Sequence, residues 1–202
     1  MALGDPYADL GELKNYLAIG DQADDAVLTD ALASVSREIE DHTQRQFNQS
    51  AAATSRRYYP EHACLVQVDD LHTTTGLVVE TDADGDGTFE TTWSSADYEL
   101  YPLDGVVGGV PGWPFSEIRA VASHTFPRGG RPTVRITAQW GWAEVPDPVK
   151  QACLILASET AKLKDAPFGV AGFSEWGAVR VRQNPLAAKK LAPYVRHPVL
   201  VG

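Results

Sequence analysis

The chain has 202 residues, 44% apolar and 22% charged, the composition of a protein that buries an ordinary core. Its formal net charge of −10 argues against general nucleic-acid binding, which needs a basic surface. No run of about 18 apolar residues exists, so no membrane span is expected, and the opening "MALGDPYADLGELK" lacks the basic-then-apolar order of a secretory signal.

The charge is unevenly placed. Residues 1–100 carry 20 acids and 5 bases, whereas residues 101–202 carry 7 acids and 12 bases. After Glu175 no acid follows, while Arg180, Arg182, Lys189, Lys190 and Arg196 do. Such polarity suits head-to-tail contact between copies or a basic tail meeting an acidic partner, although a solvated surface with an accidental gradient reads equally well. Cys64 and Cys153 fall far apart, in segments reading as strand and helix, and are expected as free buried thiols.

The first helical signal is "YADLGELKNYLAI", where Leu10, Leu13 and Leu17 share a face and Gly20 is the expected stop. A longer helix is expected in "DDAVLTDALASVSREIEDHTQRQF", where Leu28, Leu32, Val35 and Ile39 form one apolar stripe. From about Thr54 to Trp142 the pattern becomes β-rich. "SRRYYP", "CLVQVDD", "TGLVVETD", "TFETTW", "DYELYPL", "EIRAVAS" and "TVRITAQWGW" read as short strands, and "DGVVGGVPGWPF" and "FPRGGRP" as loops. An antiparallel sheet curled into a small sandwich or barrel is the economical outcome.

Helical pattern returns in "VPDPVKQACLILASETAKLKDA", with Asp147 as cap and Pro148 in the first turn. Val149, Cys153, Leu156 and Leu163 mark its apolar stripe. "NPLAAKKLAPYVRHPVLVG" then offers Asn184 as a cap, Pro185, about two turns of helix and an extended tail. The expected fold class is α+β. The N- and C-terminal helices pack as a small bundle (1–53 and 143–177), a β-rich insertion spans 54–142, and an extended arm runs over 178–202.

Few residues suggest chemistry. "TDADGDGTFETTW" begins like a calcium loop, with Asp82, Asp84 and Asp86 alternating before Gly87. The twelfth position, which must supply a bidentate Glu, is Trp93, and strands flank it instead of helices. A β-hairpin tip explains every residue, so no metal site is expected. His42, His62, His72, His124 and His197 show no zinc spacing. No nucleophile motif, P-loop or dinucleotide fingerprint is present, so neither an enzyme nor a cofactor is expected. Aromatics do sit on Gly-rich connections: Trp113, Phe115, Phe168, Phe173 and Trp176. Such residues are either core plugs or interface anchors, and their concentration at 168–176, ahead of a basic tail, favours an intermolecular role.

"DDAVLTDALASVSREIEDHTQRQF" and "VPDPVKQACLILASETAKLKDAPFGVAGFSEWGAVRV" together resemble the head–tail connector (adaptor) proteins of tailed bacteriophages. The β segment with "VDDLHTTTGLVVETDADGDGTFETTW" and "DYELYPL" is similar to the version found in phages of actinobacteria. The resemblance implies a non-enzymatic virion protein of the head–tail neck, assembled in the host cytoplasm. Its copies would form a ring, commonly of twelve, that binds the portal and a stopper or other neck protein. DNA would pass through the lumen without specific binding. Carried onto this chain, the resemblance makes Phe168, Phe173 and Trp176 candidate anchors. Arg180, Arg182, Lys189, Lys190, Tyr194 and Arg196 become candidate portal contacts on the arm. The competing readings are another neck or tail component, such as a stopper or tail terminator, and a small ligand-binding or hydrolytic α+β domain.

Overall fold

A computed structural model describes residues 4–162 and 184–196. The described residues divide into two units, a helical one containing 4–47, 145–162 and 184–196 and a β-rich one built from 48–144.

In the helical unit, α1 (Leu10–Leu17) starts with a capping box. The Asp9 carboxylate accepts from the Glu12 amide at 2.7 Å, and the Glu12 carboxylate accepts from the Asp9 amide at 2.9 Å. Two of the helix's otherwise orphaned donors are thereby satisfied. The helix stops at Ala18, which adopts φ 57°, two residues before the expected Gly20. The left-handed cap lets the Ala18 amide reach back to the carbonyls of Asn15 and Lys14, so the turn geometry is met without glycine.

Helix α2 (Asp25–Thr43) buries Leu28, Leu32, Val35 and Ile39, the expected stripe, and ends at Gln44 with φ 55°. Its buried hydroxyls are not orphans: Ser36 and Thr43 donate to the carbonyls four residues back, each at 2.7 Å. Helix α3 (Asp147–Lys162) buries Val149, Ala152, Cys153, Leu156 and Ala157. Helix α4 (Pro185–Leu191) is capped by Asn184, whose side chain accepts from the Ala187 amide at 2.9 Å. A 3₁₀ turn, Ala192–Tyr194, follows it. Tyr7 is fully buried. Its hydroxyl donates to Glu40 at 2.6 Å and accepts from the Phe47 amide at 3.2 Å, and its ring meets Phe47 edge-on at 5.5 Å.

The two turns of helix read from Asn184 and Pro185 are therefore present, but residues 184–196 do not run extended. Ala187 and Leu191 are fully buried. The Arg45 guanidinium donates to the Tyr194 carbonyl, and the Arg196 amide donates to the Thr43 carbonyl, both at 2.9 Å. The apolar spacing of Ala187 and Leu191 gives α4 a buried face, and that burial keeps it on the bundle.

The β-rich unit contains β1 (Thr54–Tyr58), β2 (Leu65–Thr81), β3 (Thr91–Thr92), β4 (Tyr98–Tyr101), β5 (Val106–Val107), β6 (Val110–Pro111), β7 (Phe115–Ala120) and β8 (Val134–Trp140). All pairings are antiparallel, in the order β1-β8-β2-β7-β4, with β3 added to β2. The path is open, with β1 and β4 at its two ends, so the described residues form a sheet and not a closed barrel.

Strand β2 is one 17-residue strand where two short ones were expected. Its register against β8 slips between Leu71 and Thr73 and again between Thr73 and Val78. The irregularities let the chain bend there without leaving the sheet. Strand β8 alternates as a half-buried strand should, with Val134, Ile136, Ala138 and Trp140 buried. Val134 and Ile136 each contribute about 1.5–3 kcal/mol on burial.

The Trp140 indole donates to the Thr54 carbonyl at 2.9 Å, and the Arg56 guanidinium lies 4.5 Å over its ring. Gly141 follows with φ 97°, and a Cβ there would lie 1.7 Å from the Asn48 carbonyl oxygen. Only glycine permits that approach.

Candidate functional site

The Asp-rich stretch closes a hairpin, with Glu80 opposite Thr92 and Thr81 opposite Thr91. The buried Asp82 carboxylate accepts from the Gly85 amide at 2.7 Å and from the Gly87 amide at 2.8 Å. Asp84 and Asp86 cap the amides two residues on, at 3.1 and 2.6 Å. Desolvation opposes ionisation of Asp82, but the hydrogen bonds from the Gly87 and Gly85 amides, with those of Asp84 and Asp86, together outweigh it and hold the carboxyl below its ordinary range. Arg131 donates to the carbonyls of Gly85 and Asp86 at 3.2 and 3.0 Å, clasping the turn from outside.

Trp93, the residue that breaks the calcium pattern, is a core plug. It is stacked on Phe126 at 4.5 Å, and its indole donates to Thr81 at 3.0 Å. Carboxylate oxygens of Asp82, Asp84, Asp86 and Glu90 lie within 4.8 Å of one another. Oxygens of this kind suit a hard cation, but both oxygens of Asp82 are already engaged in holding the backbone turn.

Of the histidines, His42 lies in the last turn of α2, His62 in an isolated bridge with Leu65, and His124 3.4 Å from Asp97. Position 197 is outside the described residues. Cys153 is buried beside Ser36 at 3.6 Å, and desolvation raises its thiol pKa. Cys64 departs from expectation. It is exposed, in the turn just before β2, because the strand begins only at Leu65.

Phe168, Phe173, Trp176, Arg180 and Arg182 lie outside the described residues. The other four partner-binding candidates fall on α4 and the turn after it. Lys189 is exposed. Lys190 donates to the Gln151 side chain at 2.6 Å. Tyr194 packs edge-on to Phe47 at 5.8 Å, and its carbonyl accepts from Arg45. Arg196 is tied to Thr43 through its backbone amide. Tyr194 and the Arg196 backbone thus serve the bundle, while Lys189 faces solvent. Of the connection aromatics, Trp113 packs on Trp142 at 5.1 Å, and the Trp142 indole donates to Asp70 at 2.9 Å. Trp113 acts as a plug.

Three surface features emerge only in the folded chain. The segment taken for a loop at 104–115 contains the β5–β6 hairpin, with Val106 opposite Pro111 and Val107 opposite Val110. Gly108 and Gly109 both have positive φ, as a two-residue hairpin turn demands. Leu103, Val106, Val107 and Val110 are 40–59% exposed along it. β-branched valines flanking Gly-Gly were the available signal. Second, α2 and α3 leave a shallow groove of about 300 Å³ between them. Third, Leu186 on α4 is 56% exposed.

No family model matches the chain, and no curated protein does. Solved structures match along nearly its whole length. A chain from the neck of an empty GTA particle, computed with C6 symmetry, has a TM-score of 0.56 and 20% identity, covering 97% of this chain and 93% of that one. A chain from the virion of a native gene transfer agent (GTA) particle has a TM-score of 0.51 and 22% identity, with the same coverage. A third, from the neck of a native GTA particle computed with C12 symmetry, has a TM-score of 0.50 and 20% identity, covering 100% and 99%. At this identity the likeness establishes a shared fold.

Proposed function

We propose that this chain is a structural subunit of the neck of a tailed-phage-like particle, and within the neck the head-to-tail adaptor. Copies form a ring below the portal, extend the DNA channel and present a surface to a stopper or other neck protein. The work is assembly, with no catalytic step. The observation that carries the reading is the end-to-end fold match, 97% of this chain on 93% of a neck chain. It agrees with the sequence resemblance to adaptors, which rests on the helices at both ends. A stopper or tail terminator would be expected to be β-dominated, whereas the described residues here include four α-helices.

The physics of the role is consistent. A channel through which DNA slides should not grip phosphate, and a chain of net charge −10 does not. Portal contact falls to the basic C-terminal stretch. Because Ala187 and Leu191 are buried, deleting everything from 178 would damage the bundle along with the contact. Removal of 197–202 alone, which leaves Ala187 and Leu191 on the bundle, separates the two. Disrupting the gene should yield DNA-filled heads and unattached tails, and supplying the protein in trans should rejoin them. Tailed particles produced normally without the protein would refute the reading.

A further inference from the structure

The groove between α2 and α3 is lined by Val27, Asp30, Ala31 and Ser34 on α2 and by Thr160 and Ala161 on α3. The four α2 positions follow i, i+3, i+4, i+7 spacing, one continuous stripe of a helix. Small side chains at Ala31, Ser34 and Ala161 let another helix approach closely, and Asp30 stands exposed at the edge. On α4, Leu186 is 56% exposed, with Lys189 at i+3 also exposed and Lys190 at i+4. One helix face thus carries an uncovered apolar knob and two cations. The surroundings repeat the sign pattern. Of the described residues, 4–47 hold ten acids and three bases, whereas 145–162 and 184–196 together hold two acids and five bases.

We infer that the α2–α3 groove receives α4 of a second copy of this chain, Leu186 entering between the helices while Lys189 pairs with Asp30. Knob and socket are different surfaces of one protomer, so the contact is heterologous, and repetition by a closing rotation gives a ring. Helix-in-groove docking supplies the apolar anchor, and the opposite charges fix direction and partner. This inference rests on the ring reading and names the surfaces that make the ring.

The test uses the full chain with a photoreactive benzoylphenylalanine at position 186 or, reciprocally, at 34, in equal mixtures of ¹⁵N-labelled and unlabelled copies. The expected adducts join 186 to α2 or the end of α3, and 34 to 186–190, across differently labelled copies. Charge reversal by Asp30→Lys or Lys189→Glu should each weaken self-association roughly tenfold or more, since like charges at an interface cost several kcal/mol. Mixing the two variants should place opposite charges at every junction of an alternating ring and recover the self-association that each variant alone has lost. Adducts within a single copy, or joining 34 to residues 163–183 or to another protein, overturn the inference. Rings that form with adducts elsewhere overturn it while leaving the adaptor reading intact. A chain monomeric at every concentration, alone and with portal-bearing heads, overturns both.

Discussion

In the helical unit the buried side chains are mostly aliphatic and recur at helical spacing, whereas the sheet unit carries four of the chain's five tryptophans. The helices are also closed locally, by a capping box at Asp9 and Glu12 and by left-handed caps at Ala18 and Gln44. The sheet unit is pinned at long range. Trp142 reaches Asp70, Trp140 reaches Thr54, and Gly141 lies against Asn48. The helical unit should therefore respond in proportion to lost volume. The sheet unit should respond sharply to a few backbone-scale changes.

The largest expected effect is Gly141→Ala. Its Cβ would lie 1.7 Å from a backbone oxygen at φ 97°, a clash no side-chain rearrangement relieves. A loss of about 4 kcal/mol or more, or failure to fold, is expected in denaturant titration. A loss below about 1 kcal/mol would show that the long-range pins are slack. Next comes Leu156→Ala in α3, fully buried, where about 2–5 kcal/mol should be lost.

The Asp-rich turn gives a smaller, pH-dependent effect. Asp82 has a lowered pKa in the folded state, so its stabilising contribution is complete above the unfolded value of about 3.9. That contribution fades as pH falls through the folded value. The stability difference between the parent chain and Asp82→Asn should accordingly be constant near neutrality and shrink in acid. A difference that grows in acid would contradict the amide-capped carboxylate. Smallest is Arg135→Ala, which breaks a pair with Glu80 at 2.6 Å on the solvent face. About 0.5 kcal/mol should be lost at low salt and less at high salt.

The same contrast explains what could be read in advance. Leu28, Leu32, Val35 and Ile39 betray α2 because a helix's buried face is written at fixed local spacing. Asn184 and Pro185 likewise mark α4. Strand β2 reads as two strands in the sequence because its continuity is set by register slips against β8, which depend on residues more than 50 positions away. The β5–β6 hairpin reads as a loop in the sequence because its glycines outweigh its valines. Trp93 was legible as a break in a calcium pattern, but its stacking on Phe126 was not, since the two meet only through the folded sheet. At the candidate site the sequence marked the basic C-terminal stretch. It gave no sign of the α2–α3 groove, which exists only once the two helices pack side by side, nor that Tyr194 would be held against Phe47.

The central claim is that copies of this chain sit as a ring in the neck. A cryo-EM reconstruction of the neck of particles produced with this protein tests it most directly. The account predicts a ring below the portal into which both the helical unit and the sheet unit fit, with side-chain density for Trp140 and Trp142. A neck fully accounted for by other proteins, with this chain absent from the mature particle, would contradict it.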